Sequence, residues 1–184
     1  TKAERHNNDY IINGTKHFIS HADLADFVIL FATTGIEQTK RGPKNKITAF
    51  LVDKNTPGMS VQRGYHSVSH RGYHNCILHF DQCRVAADKV LGEPDHGFDI
   101  ANQWLSATRL QVAAMCLGRA ERALELATEW AATRQQFGQT IGKFQGVSFK
   151  LADMKTALTA AELLTLRAAY LHDNNKMTDS DAAM

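Results

Sequence analysis

The hydrophobic pattern changes its period once along this chain, near residues 93–97, and that change constrains the architecture more than any motif. Before it, apolar residues come in short alternating or continuous runs broken by Gly, Pro and Asn. After it, they recur every three or four residues. A period near two followed by a period near 3.6 predicts an α+β chain of more than one domain. The boundaries follow: a β-domain over residues 1–93 and a helical domain over residues 94–184.

In the β part, YIINGTKHFIS (10–20) carries Asn13-Gly14 between two apolar-rich runs, which predicts a hairpin turning there. DFVILFATT (26–34) is nearly continuous in apolar residues, as in a strand covered on both faces. ITAFLVDK (47–54) predicts a further strand, closed by the turn residues Asn55-Thr56-Pro57-Gly58. MSVQR (59–63) and CILHFDQCRV (76–85) follow. Short strands of this kind predict an antiparallel barrel or sandwich.

From Gly97 the residues Ile100, Trp104, Thr108, Val112, Met115, Leu117, Ala120, Leu124, Ala127 and Ala131 form one apolar stripe. About thirty residues of helix extend roughly 45–50 Å. A second stripe runs from about Val147 to His172, and Thr178-Asp179-Ser180 read as cap residues of a third helix. Two long helices with a short connection pack antiparallel in a bundle. Two helices cannot close a bundle alone. The helical turn begun at Asp181–Met184 reads as part of a longer chain, so the rest of the bundle is expected beyond Met184 or from partner subunits.

Composition narrows the function classes. The net charge is +2, from 21 basic and 19 acidic residues, which offers no field for nucleic acid. No run of about eighteen apolar residues is present, so no membrane span is expected, and no charged-then-apolar leader opens the sequence. Cys76, Cys83 and Cys116 form no C-x-x-C pair. They read as small buried apolar residues in a reducing compartment. His66, His70 and His74 are spaced by four, but among glycines and serines between strands that spacing has no helical meaning. They are expected as solvated loop histidines, not metal ligands. Neither a nucleophile elbow nor a standard phosphate loop occurs.

TRQQFGQTIGKFQ (133–145) interrupts the helical period. It gathers Arg134, two glutamines, Phe137, Gly138 and Gly142. A plain helix–helix connection accounts for the glycines and for Phe137 as a packing plug. A planar cation, an aromatic ring and amides before a helix start also suit an anionic, aromatic ligand such as a dinucleotide.

Four stretches in order resemble the acyl-CoA dehydrogenase family over essentially the whole chain. They are NDYIINGTKHFIS (8–20), NTPGMSVQR (55–63), LHFDQCRVAADKVLGEPDHGF (78–98) and the helical RLQVAAMCLGRAERALELATEWAATRQQFGQTIGKFQGVSFKLADM (109–154). The resemblance implies a middle β-domain over 1–93 with its first strands missing and the first two helices of a C-terminal up-down four-helix bundle over 94–184, in a homotetramer. It implies FAD-dependent α,β-dehydrogenation of an acyl-CoA thioester, with a carboxylate taking the α proton and hydride passing to FAD.

Residue by residue, Phe18-Ile19-Ser20 match the segment against the flavin ring, with Phe18 where a Trp is usual. Arg134 matches the arginine reaching the FAD pyrophosphate of a neighbouring subunit. Gln136, Phe137, Phe144 and Gln145 match adjoining FAD contacts. Arg109 matches an arginine near the acyl-CoA site, and Ser106 stands where an acid often contacts CoA. Thr108 occupies the position of the base in some branches and cannot serve as one, so the base is expected beyond Met184. The resemblance further implies a dimer of dimers sharing FAD across the interface, and electron-transfer flavoprotein as acceptor. Its location would be a bacterial cytoplasm or the mitochondrial matrix. An acyl-CoA oxidase or nitroalkane-oxidase-like flavoenzyme, or a non-catalytic scaffold keeping the fold, are the alternatives.

Overall fold

The structure, a computed structural model, describes all 184 residues. The chain forms two compact units, Thr1–Asn102 and Gln103–Met184.

The first unit is a seven-stranded sheet. Its strands are β1 (Lys2–His6), β2 (Asp9–Ser20), β3 (Phe27–Thr39), β4 (Gly42–Asp53), β5 (Met59–Arg63), β6 (Asn75–Ala86) and β7 (Val90–Leu91). Their order in the sheet is β5-β6-β2-β1-β3-β4-β7, and only β1 and β3 run parallel. The sheet curls into a half-barrel, so the α+β class holds with one curled layer in place of a closed barrel. Its inner face buries Tyr10, Ile12, Leu30, Phe50, Val52, Leu78 and Phe80, with the Tyr10 and Phe50 rings edge-on at 5.0 Å. Alternation along β4 explains the choice: Thr48, Phe50 and Val52 point to one side of the pleat.

Asn13-Gly14 does not turn a hairpin. Both residues lie inside β2, opposite a bulge in β6. Ile12 pairs with Cys83 and Gly14 with Phe80, so β6 spends three steps where β2 spends two. The Asn13 Oδ1 accepts the Gln82 backbone N–H at 2.8 Å, and Gln82 sits at φ 48°. The bulge reverses the alternation of β6, which is why Cys83 and Val85 face the core along with Leu78 and Phe80. Gly14 is required because a Cβ there would lie 2.7 Å from the Cα of Thr1. The actual hairpin turns at Asn7-Asn8, with Asn7 at φ 54°, between β2 and a first strand whose sequence, KAERH, is almost wholly polar.

Strand β3 is not covered on both faces: Leu30 and Ala32 are buried, while Phe27 and Ile29 are about half exposed. Strands β3 and β4 also run further than their apolar segments, through polar tips to a turn at Lys40-Arg41.

The second unit contains most of α1 (Gly97–Thr133), then the short strands β8 (Gln135–Gln136) and β9 (Gln139–Thr140), α2 (Gln145–Asp173) and α3 (Asp179–Ala183). Thr178 caps α3 in a reciprocal capping box with Asp181. Asp181 also receives Arg167 of α2 at 2.7 Å, and Asp179 accepts the Ser106 hydroxyl of α1 at 2.9 Å. The helices line an apolar groove of roughly 800 Å³, with Leu117 and Leu124 from α1 and Leu158 and Leu164 from α2. Only Ala131 and Ala168 are buried in this unit, whereas Trp104, Trp130, Phe149 and Leu163 are exposed. The stripes of the two long helices are present, but the core they would enclose is not filled by them. Of the three cysteines, Cys76 and Cys83 are buried; Cys116 is exposed on α1, because it stands where the helix surface is uncovered.

Candidate functional site

The flavin-facing candidates of the first unit are placed by a second bulge. Lys16 pairs with Leu78 and Ile19 with Cys76, so β2 spends three steps against two in β6. The additional residue shifts the alternation: Ile19 turns to pack on the core, while Phe18 and Ser20 turn outward. Phe18 adopts φ 57° and is 67% exposed. A bulky residue in the left-handed region is an outlier that local sequence does not favour, and such outliers cluster at ligand sites. The Phe18 ring lies 5.6 Å from that of Tyr65, and the His17 ring lies 6.5 Å from Tyr65 and 6.2 Å from Phe18, so the three form a triangular cluster.

The hydroxyl of Ser20 is hydrogen bonded to the hydroxyl of Tyr73, 53 residues further on. Tyr73 belongs to the loop 64–74, which is tied to the turn after β2. His74 Nδ1 lies 2.7 Å from Asp23 Oδ2, Arg63 Nε donates to the same oxygen at 3.3 Å, and the Cys76 thiol donates to Oδ1 at 3.6 Å. The His21 amide donates to the His74 carbonyl at 2.9 Å, and the His21 and Tyr73 rings meet edge-on at 4.8 Å. Burial pushes the Asp23 carboxyl up; hydrogen bonding and charge from His74, with Cys76 and Arg63, outweigh it and hold the carboxyl below its ordinary value. His66 and His70 are exposed loop residues, as expected, but His74 is half-buried and paired. Nothing in the sequence signals that Tyr73 and Asp23 reach this site, since both contacts are long-range.

In the second unit, the connection between α1 and α2 is more than a turn. Gln135↔Thr140 and Gln136↔Gln139 form a miniature hairpin around Phe137-Gly138, both of which have positive φ, 52° and 80°. That pair of signs marks the two-residue hairpin turn in which Asn-Gly is the ordinary choice. Here the first place is taken by Phe137, 91% exposed. It is therefore not a packing plug; its one ring neighbour is Phe144, edge-on at 6.2 Å.

Arg134 immediately precedes the hairpin. Its amide donates to the Trp130 carbonyl at 2.8 Å, its carbonyl accepts from Ile141 at 2.8 Å, and its guanidinium carbon lies 6.0 Å from the Trp130 ring centroid. No carboxylate pairs with it. Gln136 and Gln145 are exposed. On α1, Arg109 is exposed, Thr108 donates its hydroxyl to the Trp104 carbonyl at 2.9 Å, and Ser106 is bonded to Asp179. Phe18, Ile19 and Ser20 thus lie together in the first unit, and Ser106, Arg109, Arg134, Gln136, Phe137, Phe144 and Gln145 in the second.

The groups of each unit suit part of a flavin dinucleotide. The first offers an exposed aromatic ring in left-handed backbone with a hydroxyl two residues on; the second offers a guanidinium fork with no carboxylate of its own, two exposed amides and an exposed aromatic ring in left-handed backbone. A curled half-barrel sheet followed by two long helices thus carries candidate cofactor contacts in each unit, at a bulge in the first and at an interhelical hairpin in the second.

Comparison with known proteins agrees. Residues 1–83 match the acyl-CoA dehydrogenase middle domain, and residues 95–184 match the acyl-CoA dehydrogenase C-terminal domain. The human mitochondrial short-chain specific acyl-CoA dehydrogenase is 40% identical over 184 residues, all of this chain and 44% of that protein. Butyryl-CoA dehydrogenase from Megasphaera elsdenii superposes with a TM-score of 0.84 at 38% identity, over all of this chain and 47% of that one. A chain in a solved structure named for the electron transferring flavoprotein of Acidaminococcus fermentans gives a TM-score of 0.83 at 36% identity, again over all of this chain and 47% of that one. The chain belongs to the acyl-CoA dehydrogenase family, and it spans about half the length of the relatives it matches.

Proposed function

We propose that the protein containing this chain is an FAD-dependent acyl-CoA dehydrogenase that oxidises the α,β carbon–carbon bond of an acyl-CoA thioester. One observation carries the reading: Phe18 and Phe137, both at positions matched to flavin contacts, are exposed and held in left-handed backbone beside hydrogen-bonding groups. Neither ring is buried in the core, and a planar ligand gives both conformations a purpose.

In this reading FAD, when bound, accepts the hydride from the β carbon. Arg134 holds the pyrophosphate through its guanidinium fork, with Gln136 and Gln145 as amide donors and Phe137 and Phe144 as aromatic walls. Phe18 covers the flavin ring, Ile19 offers backbone groups to it, and the Ser20 hydroxyl donates to its edge. Arg109 and Ser106 hold the CoA portion of the substrate. Thr108 is not the base: its hydroxyl proton is engaged by a main-chain carbonyl, and an alkoxide is inaccessible at neutral pH. The α proton is assigned to a carboxylate in the part of the family's length that this chain does not span.

The domain reading is a middle β-domain over 1–93 and the first two long helices of a four-helix domain over 94–184. The apolar groove between α1 and α2 is the place for the remaining helices. The assembly is a dimer of dimers in which Arg134 serves a neighbouring subunit's FAD. Electron-transfer flavoprotein is the acceptor, a reading supported by the likeness to a chain in the Acidaminococcus flavoprotein structure. No helix is long and apolar enough to cross a membrane. A mitochondrial matrix or bacterial cytoplasm is the proposed location, the former supported by the human relative's name.

The test is an anaerobic titration of the full-length protein with acyl-CoAs of graded length, followed by flavin absorbance. Bleaching of the oxidised band by one chain-length class supports the reading. A colourless full-length protein that takes up no FAD overturns it in favour of a scaffold. Fast reoxidation in air with peroxide release reassigns it to an oxidase.

A further inference from the structure

We propose that Tyr73 is a positioning residue for the flavin, acting through Ser20; this rests on the flavoprotein reading above. The two hydroxyls are hydrogen bonded, and their proton order follows from acidity. A phenol is a far stronger hydrogen-bond donor than an aliphatic alcohol, so Tyr73 donates and Ser20 Oγ accepts. Ser20 then has its own proton left, and it points that proton at a ligand acceptor. Because a hydroxyl that accepts one hydrogen bond donates the next one more strongly, Tyr73 both fixes the rotor of Ser20 and raises its donor strength.

The fold supports this role at each step. The bulge at His17-Phe18 turns Ser20 outward, on the same side as Phe18. Tyr73 is held against the His21 ring, its amide donates to the His70 carbonyl at 2.8 Å, and the next residue, His74, is clamped by Asp23. Asp23 in turn takes Arg63 and the Cys76 thiol, so a loop without regular structure is anchored at the residue beside the phenol. The ligand class is a planar heterocycle with acceptor atoms along its edge, for which an isoalloxazine ring qualifies.

The experiment is a double-mutant cycle on the full-length protein: wild type, Tyr73→Phe, Ser20→Ala and the double variant, with FAD affinity read by flavin fluorescence and fold checked by circular dichroism. Tyr73→Phe removes one oxygen and keeps the ring packing, so it preserves the loop. Its FAD affinity is expected to fall roughly three- to tenfold, the worth of one hydrogen bond. Ser20→Ala is expected to lose at least as much, and the double variant no more than Ser20→Ala, since Tyr73 has nothing to act through once Ser20 is gone. Unchanged or tighter FAD binding in Tyr73→Phe, or additive losses in the double variant, overturns the role of Tyr73 while leaving the flavoprotein reading in place. A wild type that takes up no FAD removes both.

Discussion

The hydroxyl of Thr34 donates to the Asp95 carboxylate at 2.7 Å, and that bond closes a ring. The Asp95 amide donates to Thr48 Oγ1 at 2.8 Å, and the Thr48 hydroxyl, completely buried, lies 2.8 Å from Thr34 Oγ1. Lys46 adds an ion pair to the other carboxylate oxygen at 3.0 Å. Two residues later the chain enters α1 at Gly97, where a Cβ would lie 2.5 Å from the Ala49 nitrogen. The ring thus fixes the passage from strand to helix. Thr48→Val keeps the shape but removes the acceptor for a main-chain N–H. It is expected to cost about 1–3 kcal/mol, read as a lower urea midpoint for loss of the sheet. An unchanged midpoint would show that water replaces the hydroxyl.

The same ring sets a pH dependence. The Thr34 hydrogen bond holds the Asp95 carboxyl below its ordinary value against burial, helped by the hydrogen bond and charge of Lys46 and the charge of His96. A lowered folded-state pKa means stability that is present above the ordinary carboxylate range and lost as pH falls through the folded value. Acid titration below about pH 4 is therefore expected to loosen the 92–97 segment in wild type more than in Asp95→Asn, followed by hydrogen exchange at the Asp95 and Gly97 amides.

Asp23 anchors the loop 64–74 through His74 and Arg63. Asp23→Ala leaves those donors without their acceptor and frees the loop, which carries a trypsin site at Arg71. Cleavage there is expected to accelerate on the order of tenfold, while sites within the sheet remain protected. Equal cleavage rates would mean that the loop is held by its aromatic contacts alone.

Reading by period was sufficient for the strands and helices whose burial is one-sided. MSVQR was found with its bounds and the second long helix to within two residues at each end, whereas the first, expected at about thirty residues, runs for 37. It failed where contacts are long-range or the backbone is unusual. Asn13-Gly14 has the composition of a hairpin turn, but Asn13 caps a bulge 69 residues away. KAERH buries only Ala3, so it carries no apolar signal. Among the proposed flavin contacts, Phe18 and Phe137 are singled out through the family resemblance. Their left-handed conformations are not, since both violate local preference. Tyr73, Asp23 and Trp130 were missed because no motif links them to their partners.

At the other end of the chain, Asp181 couples the cap of α3 to α2. Hydrogen bonds from Thr178, foremost among the causes, and from Arg167 hold its carboxyl down at about 2. The sign is that of a depressed acid: the docking of α3 is complete above the ordinary value of 3.8 and is lost as pH falls through about 2. Thr178→Ala removes the cap side chain and is expected to cost about 1 kcal/mol locally at neutral pH. Exchange of the Ala182 and Met184 amides, which close on Thr178 and Ser180, reports both effects. No acceleration in the variant would show that Arg167 alone is sufficient.

Arg134 is the residue proposed to meet the FAD pyrophosphate. Its guanidinium meets the Trp130 ring and no carboxylate, so it is oriented without being neutralised. A pyrophosphate contact of this kind is charge-assisted, and its loss is worth about 1.5–3 kcal/mol, or roughly ten- to a hundredfold in affinity. Arg134→Ala in the full-length protein is therefore expected to shed FAD on dialysis. Arg134→Lys should recover only part of the affinity, because lysine presents a point charge in place of a planar fork. Trp130→Leu should weaken FAD by a smaller factor, about two- to fivefold, since an exposed cation–π contact contributes only about 0.5–1 kcal/mol. That ranking separates a pyrophosphate site from a packing role: if Arg134→Lys retained FAD like wild type while Trp130→Leu lost it, the ring and not the cation would be the ligand contact. Full FAD occupancy in Arg134→Ala would remove the residue from the site altogether.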